Sequence, residues 1–341
     1  MYVAPRPREE DDPLFAVRLA SGAVTGFMLA VLLQSSMPML PPALIVGLMA
    51  GMRKAFDPKK AVGGPAAMIV MVLAISTLID LVRPMPLVMI TLTGVLCVLA
   101  YYIILRTGNP IGMLVAIVAV LMSVMRMSSA VLMDYMRDGF IEASFCALFV
   151  IPVLYLLFPP RSQEMMIEVY RPGTESHHGL RALIRGGVLL MLSFWLYAVL
   201  DSSNMILAVA AVFVLVFPTR EQLFAEAWER TFATVIGTAV AFLILHIFEY
   251  AAHFTVLLIL VFLGGLFFGS RMINGRHPAM VYQFAFSVMI SLVAGALSTQ
   301  NPASAMTLRI VLTLVGAVGA AFLTAFLENL LIGEEDVPRP T

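Results

Sequence analysis

Ionisable side chains inside long apolar runs are costly in lipid, so they face a cavity, a partner or the interface. This chain carries a few of them, at matched places. Asp80 and Glu249 sit near the ends of two apolar runs. Each reads as a proton-carrying acid tuned by partial burial, or as an interfacial acid in water. Glu142 and Arg309 occupy similar depths in two other runs. Arg309 suits a bidentate grip on the carboxylate of a small organic anion, and the two residues equally suit a structural ion pair. His246 lies one turn before Glu249, on nearly the same helix face. That pair is either a proton relay or a histidine packed between helices. Gln283, beside Tyr282, lines a water path or bonds across helices. Two polar corners, Gln34-Ser35-Ser36 and Asp201-Ser202-Ser203, each join a long apolar run to a short one. Paired interruptions of this kind point to a transport site, while Ser, Asp and Asn also suit plain turns. The proton-coupling candidates are thus Asp80, Glu142, Glu249 and His246. The substrate-binding candidates are Arg309, Asp201, Ser202, Ser203, Gln34, Ser35, Ser36 and Gln283.

Other chemistry finds little footing. No glycine-rich loop precedes a lysine and Ser/Thr as a phosphate-binding loop would. His177-His178 has no third ligand at helical spacing and reads as part of a polar linker. No metal, cofactor or enzymatic activity is expected. Cys97 and Cys146 lie in apolar runs and read as small buried hydrophobes rather than a disulfide. Net charge is zero, which gives no basis for binding nucleic acid.

The elements that must hold these residues follow from composition. Hydrophobic residues are 61% of the 341 and charged residues 12%, far from a soluble domain. The fold class expected is an all-α membrane protein, with the lipid bilayer as its first partner. A span takes about 20 apolar residues, so the chain holds about twelve. They are placed at 14–34, 37–52, 61–82, 87–105, 111–125 and 139–158, then at 181–200, 203–218, 230–248, 253–270, 278–297 and 304–332. Pro38, Pro41 and Pro42 open the short second span, where proline is tolerated. Arg126, Asp134, Arg137 and Asp138 are expected to form a polar break before the sixth. The stretch 1–13 is a polar tail, too acidic to be a signal peptide's basic region. The repeats are then 14–158 and 181–332, with a linker at 159–180 and a tail at 333–341.

The chain repeats itself. Arg18, Gln34 and Arg53 recur at one common offset as Arg185, Asp201 and Arg220. An even number of spans per half makes this a parallel repeat of two six-helix units. Loop basic residues set the orientation. With the N-terminus in the cytoplasm, the inside holds Arg53, Lys54, Lys59, Lys60, Arg106, Arg220, Arg230, Arg271 and Arg276. The outside holds only Arg83, Arg126 and Arg137, with Arg309 a little inside the membrane. Both termini are expected in the cytoplasm.

Arg230 is followed seven residues later by Gly237-Thr238, after the run Phe224-Ala225-Glu226-Ala227-Trp228-Glu229. With the duplicated spans and the basic cluster after the second of them, this resembles the fusaric acid resistance and aromatic acid exporter superfamily. It looks most like the short members of that superfamily, the family of unknown function numbered 2955. The likeness covers about 14–332 but lacks the sizeable cytoplasmic domain that follows each half in the larger exporters. The resemblance implies proton-driven export of aromatic or other weak acids from the bacterial inner membrane. It implies two partners as well, a periplasmic membrane-fusion adaptor and an outer-membrane channel; a homodimer stays open. The rival reading is a non-transporting membrane scaffold that docks the adaptor.

Overall fold

The computed structural model describes residues 12–109, 111–161, 177–199, 220–296 and 302–332. Every regular element among the described residues is a helix. In chain order they are α1 (Phe15–Leu32), α2 (Leu40–Ala50), α3 (Pro58–Leu81), α4 (Pro86–Thr107), α5 (Ile111–Ser128) and α6 (Ala130–Leu157). Then come α7 (His178–Val199), α8 (Arg220–Tyr250), α9 (Phe254–Asn274), α10 (Ala279–Ala296) and α11 (Pro302–Ile332). Among the described residues, 8 helices are long and apolar enough to cross a membrane: α1, α3 to α6, the Trp228–Tyr250 part of α8, α9 and α10. The chain is a multi-pass membrane protein. The span expected at 203–218 lies outside the described residues.

Local chemistry sets the helix ends. Pro41 and Pro42 stand in the first turn of α2 and Pro86 opens α4, where the missing N–H has no intrahelical partner to lose. Gly108 ends α4 in the left-handed region, at φ 69°, and its N–H bonds Ile104 O at 2.8 Å. The expected polar break before the sixth span is corrected. Only Ser129 separates α5 from α6, and Asp134, Arg137 and Asp138 ride on the first turns of α6. Ser129 Oγ accepts the Val131 N–H at 3.2 Å, a capping bond that starts a helix. No proline interrupts the charges that follow it, and Leu132, Met133, Met136 and Arg137 are good enough helix formers to carry the two aspartates. The polar stretch from Arg220 is likewise helical, as the start of α8.

The chain forms two compact units. One comprises Met1–Val70, Tyr135–Glu168 and Phe232–Leu308. Within it α1 packs on α2 and α9, and α10 packs on α2 and α9. Lipid supplies no hydrophobic force between helices, so small residues that let backbones approach decide such pairs. Gly265 and Gly269, one turn apart on α9, meet Ala20 and Ala16 on α1; a Cβ on either glycine would lie 2.8 Å from the facing alanine Cα. Gly265→Leu should therefore cost about 1–3 kcal/mol by overpacking. A lower melting temperature of the detergent-purified protein would register it, and an unchanged one would show that the close approach is dispensable.

The other unit comprises Met71–Asp134, Val169–Thr231 and Arg309–Thr341. Here α4 packs on α5 and α7. The buried hydroxyls of Thr93 and Ser123 share a hydrogen bond of 2.6 Å between α4 and α5. A Cβ on Gly186 of α7 would lie 2.9 Å from the Val98 backbone nitrogen. Its neighbour Gly187 touches nothing within 4 Å in that direction. Cys97 in this unit and Cys146 in the first are both buried free thiols.

Candidate functional site

The first polar corner is built by the way α1 ends. Gln34 adopts φ 51°, a left-handed conformation normally left to glycine. The Gln34 N–H bonds Val31 O at 3.2 Å, and the Ser35 N–H reaches back to Ala30 O at 2.8 Å. This is the Schellman pattern, which satisfies the last carbonyls of the helix. The reversal turns Ser35 inward, 8% exposed. Its hydroxyl donates to Glu142 Oε2 at 2.8 Å, and the exposed Ser36 hydroxyl donates to Tyr135 O at 3.2 Å. Met37 and Leu40 pack over Gly139. The corner is thus seated on α6 along one face, from Tyr135 to Glu142. Gln34→Gly relieves the left-handed strain and should stabilise the protein by about 1 kcal/mol. A higher melting temperature is expected, and a lower one would mean the Gln34 side chain holds the corner.

The structure therefore joins two places that stood apart in the sequence, the corner and Glu142. Of Arg309, only the helical backbone of α11 is described, and Asp201, Ser202 and Ser203 lie outside the described residues. Asp80, 43% exposed at the end of α3, forms an ion pair of 3.0 Å with Arg126 at the end of α5. His246 Nδ1 stands 3.8 Å from Glu249 Oε2, with the two side chains 51% and 79% exposed. The histidine ring lies against Phe242 and Tyr250 on the same exposed helix face. Gln283 is half-buried on α10, while the neighbouring Tyr282 hydroxyl accepts the Arg276 N–H at 3.2 Å.

Among the described residues, the deepest charges are not among the candidate site residues named from the sequence, although Arg18 and Arg185 mark the repeat. Arg18 is fully buried in the first turn of α1, where it pairs with the buried Asp12. Its Nη1 donates to Phe158 O at 3.0 Å, and its guanidinium lies over the Tyr155 ring at 4.6 Å from the centroid. The Tyr155 hydroxyl in turn donates to Met52 O at 2.5 Å. One arginine so ties the start of α1 to the end of α6, and Tyr155 carries the tie to the end of α2. Asp12 is therefore an anchor rather than part of a free polar tail. In the other unit, Arg185 Nε donates to Glu328 Oε1 at 2.9 Å and Arg181 Nη1 to Oε2 at 3.4 Å. Arg185 is 0% exposed and Glu328 3%. The signal available in sequence was Glu328 itself, an acid standing in the apolar run of α11.

Chemically, the corner offers a carboxylate held by a hydroxyl inside a membrane-spanning helix, and the buried arginines offer fixed ties. Among the described residues no group of three or more His, Cys, Asp or Glu could hold a metal ion. Comparison with known proteins divides the chain. A family model described as "Protein of unknown function (DUF2955)" matches residues 15–157. A second, described as "Fusaric acid resistance protein-like", matches residues 191–323. No curated protein and no solved structure matches the chain.

Proposed function

Starting from the chain's likeness to the fusaric acid resistance protein-like family over residues 191–323 and to the DUF2955 family over residues 15–157, we propose that it is a proton-driven secondary transporter of the bacterial inner membrane. It exports aromatic or other weak-acid compounds, working with a periplasmic membrane-fusion adaptor and an outer-membrane channel. Both termini face the cytoplasm, and the helices form two parallel six-helix repeats. The packing supports the repeat. Counting a span at 203–218, an offset of six carries α1 onto α7 and α4 onto α9. Packing of α1 on α9 then corresponds to packing of α4 on α7.

The observation that carries the reading is the Ser35–Glu142 bond. A hydrogen bond to a charged group contributes about 1.5–3 kcal/mol, against about 1 for a neutral one. A proton arriving at Glu142 weakens the tie between the corner and α6, and its departure restores the tie. The strained Gln34 at the same corner favours release. Proton passage through Glu142 thus cycles the corner between held and released, and export of the substrate rides on that cycle. Cells lacking the chain should accumulate more labelled aromatic acid than cells in which it is restored. Equal accumulation across a panel of aromatic and aliphatic weak acids would sink the transport reading.

A further inference from the structure

The unit containing α4 and α7 has a groove of about 550 Å³ between those two helices. Its lining is nearly all apolar and includes Gly94, Val98 and Tyr102 from α4 with Gly179, Leu183 and Gly187 from α7. Gly94 and Gly186 bring the helices together, while Gly179 and Gly187 leave open space where a side chain would stand. The groove opens sideways: Val95 is 59% exposed and Leu183 57%. Along α4 it runs from Thr91 to Tyr102, about 16 Å of helix. That is about half of a 30 Å hydrocarbon core, the depth of one leaflet.

One end is basic. The Arg106 guanidinium donates to the Tyr102 hydroxyl at 3.0 Å and is exposed beyond it. His178 adjoins Gly179 at the same end, and neither the last turn of α4 nor the first turn of α7 carries an acid. We propose that this groove holds one acyl chain of an anionic phospholipid, with Arg106 against the headgroup phosphate. The apolar length matches an acyl chain, the sideways opening suits entry from the bilayer, and the charge at the mouth selects the headgroup.

The full chain is reconstituted in equimolar phosphatidylglycerol and phosphatidylcholine, extracted in mild detergent, and the retained lipid weighed by native mass spectrometry. The wild type should keep a phosphatidylglycerol in preference to phosphatidylcholine. Arg106→Gln should lower that preference about fivefold, the worth of one arginine near an anionic surface. Gly187→Leu fills the groove without meeting protein atoms at its Cβ, and should lower total retained lipid with no loss of melting temperature. Lipid retention unchanged by Gly187→Leu, or equal retention of both lipids by the wild type, overturns the proposal. So does a wild type that retains no lipid, or a crosslink that places another segment of this chain or a second copy in the groove. No readout depends on transport, so failure here leaves the export reading untouched.

Discussion

Replacing Glu328 with alanine is expected to destabilise the protein by about 3–5 kcal/mol, the cost of removing one member of a buried charge cluster. Glu328 is 3% exposed and accepts from both Arg181 and Arg185, which are 7% and 0% exposed. The carboxylate bridges α7 and α11, so its loss takes away the acceptor that both guanidiniums share. Glu328→Gln keeps an acceptor oxygen and loses the charge, and should cost less, about 1–3 kcal/mol. Thermal unfolding of the detergent-purified variants measures both. The order alanine below glutamine below wild type is the expected result. An alanine variant within about 0.5 kcal/mol of wild type, the ordinary range for a surface substitution, would mean the cluster contributes nothing to stability.

The second large effect is functional. Glu142→Gln should abolish the proton-dependent part of export while leaving the fold intact. The amide is nearly the size of the carboxylate and still offers an oxygen to the Ser35 hydroxyl. What it cannot do is take up and release a proton. Ser35→Ala makes the complementary change, because it leaves the acid and removes the tie. It leaves the proton no Ser35 bond to weaken, so it too should remove the proton-dependent part of export. Export by correctly inserted Glu142→Gln at the wild-type rate would remove Glu142 from the mechanism.

The sequence exposed the skeleton of this site better than its contacts. Arg18 and Arg185 were visible because an arginine in an apolar run is rare, and their common offset marked the repeat. Their partners were hidden for different reasons. Asp12 stands in a cluster with Glu9, Glu10 and Asp11, and nothing local says which acid turns inward. Glu328 lies far along the chain from Arg185, so only tertiary packing brings the two together. The Ser35–Glu142 bond was out of reach for the same reason, although both residues had been singled out. Gln34 masked its own role, because a left-handed helix end is read from glycine or asparagine and not from glutamine. The stretch from Arg126 to Asp138 misled in the other direction: its charges suggested a loop, but they stand on helices that only Ser129 interrupts. Asp80 found Arg126 because that stretch starts on α5.

The central claim is that a proton passing through Glu142 drives export. Its most direct test is in proteoliposomes loaded with a labelled aromatic acid, with and without an imposed pH gradient. Wild-type protein should move the label faster when the gradient is present, and Glu142→Gln should move it at one rate under both conditions. A wild type indifferent to the gradient, or a Glu142→Gln protein that still responds to it, would contradict the account.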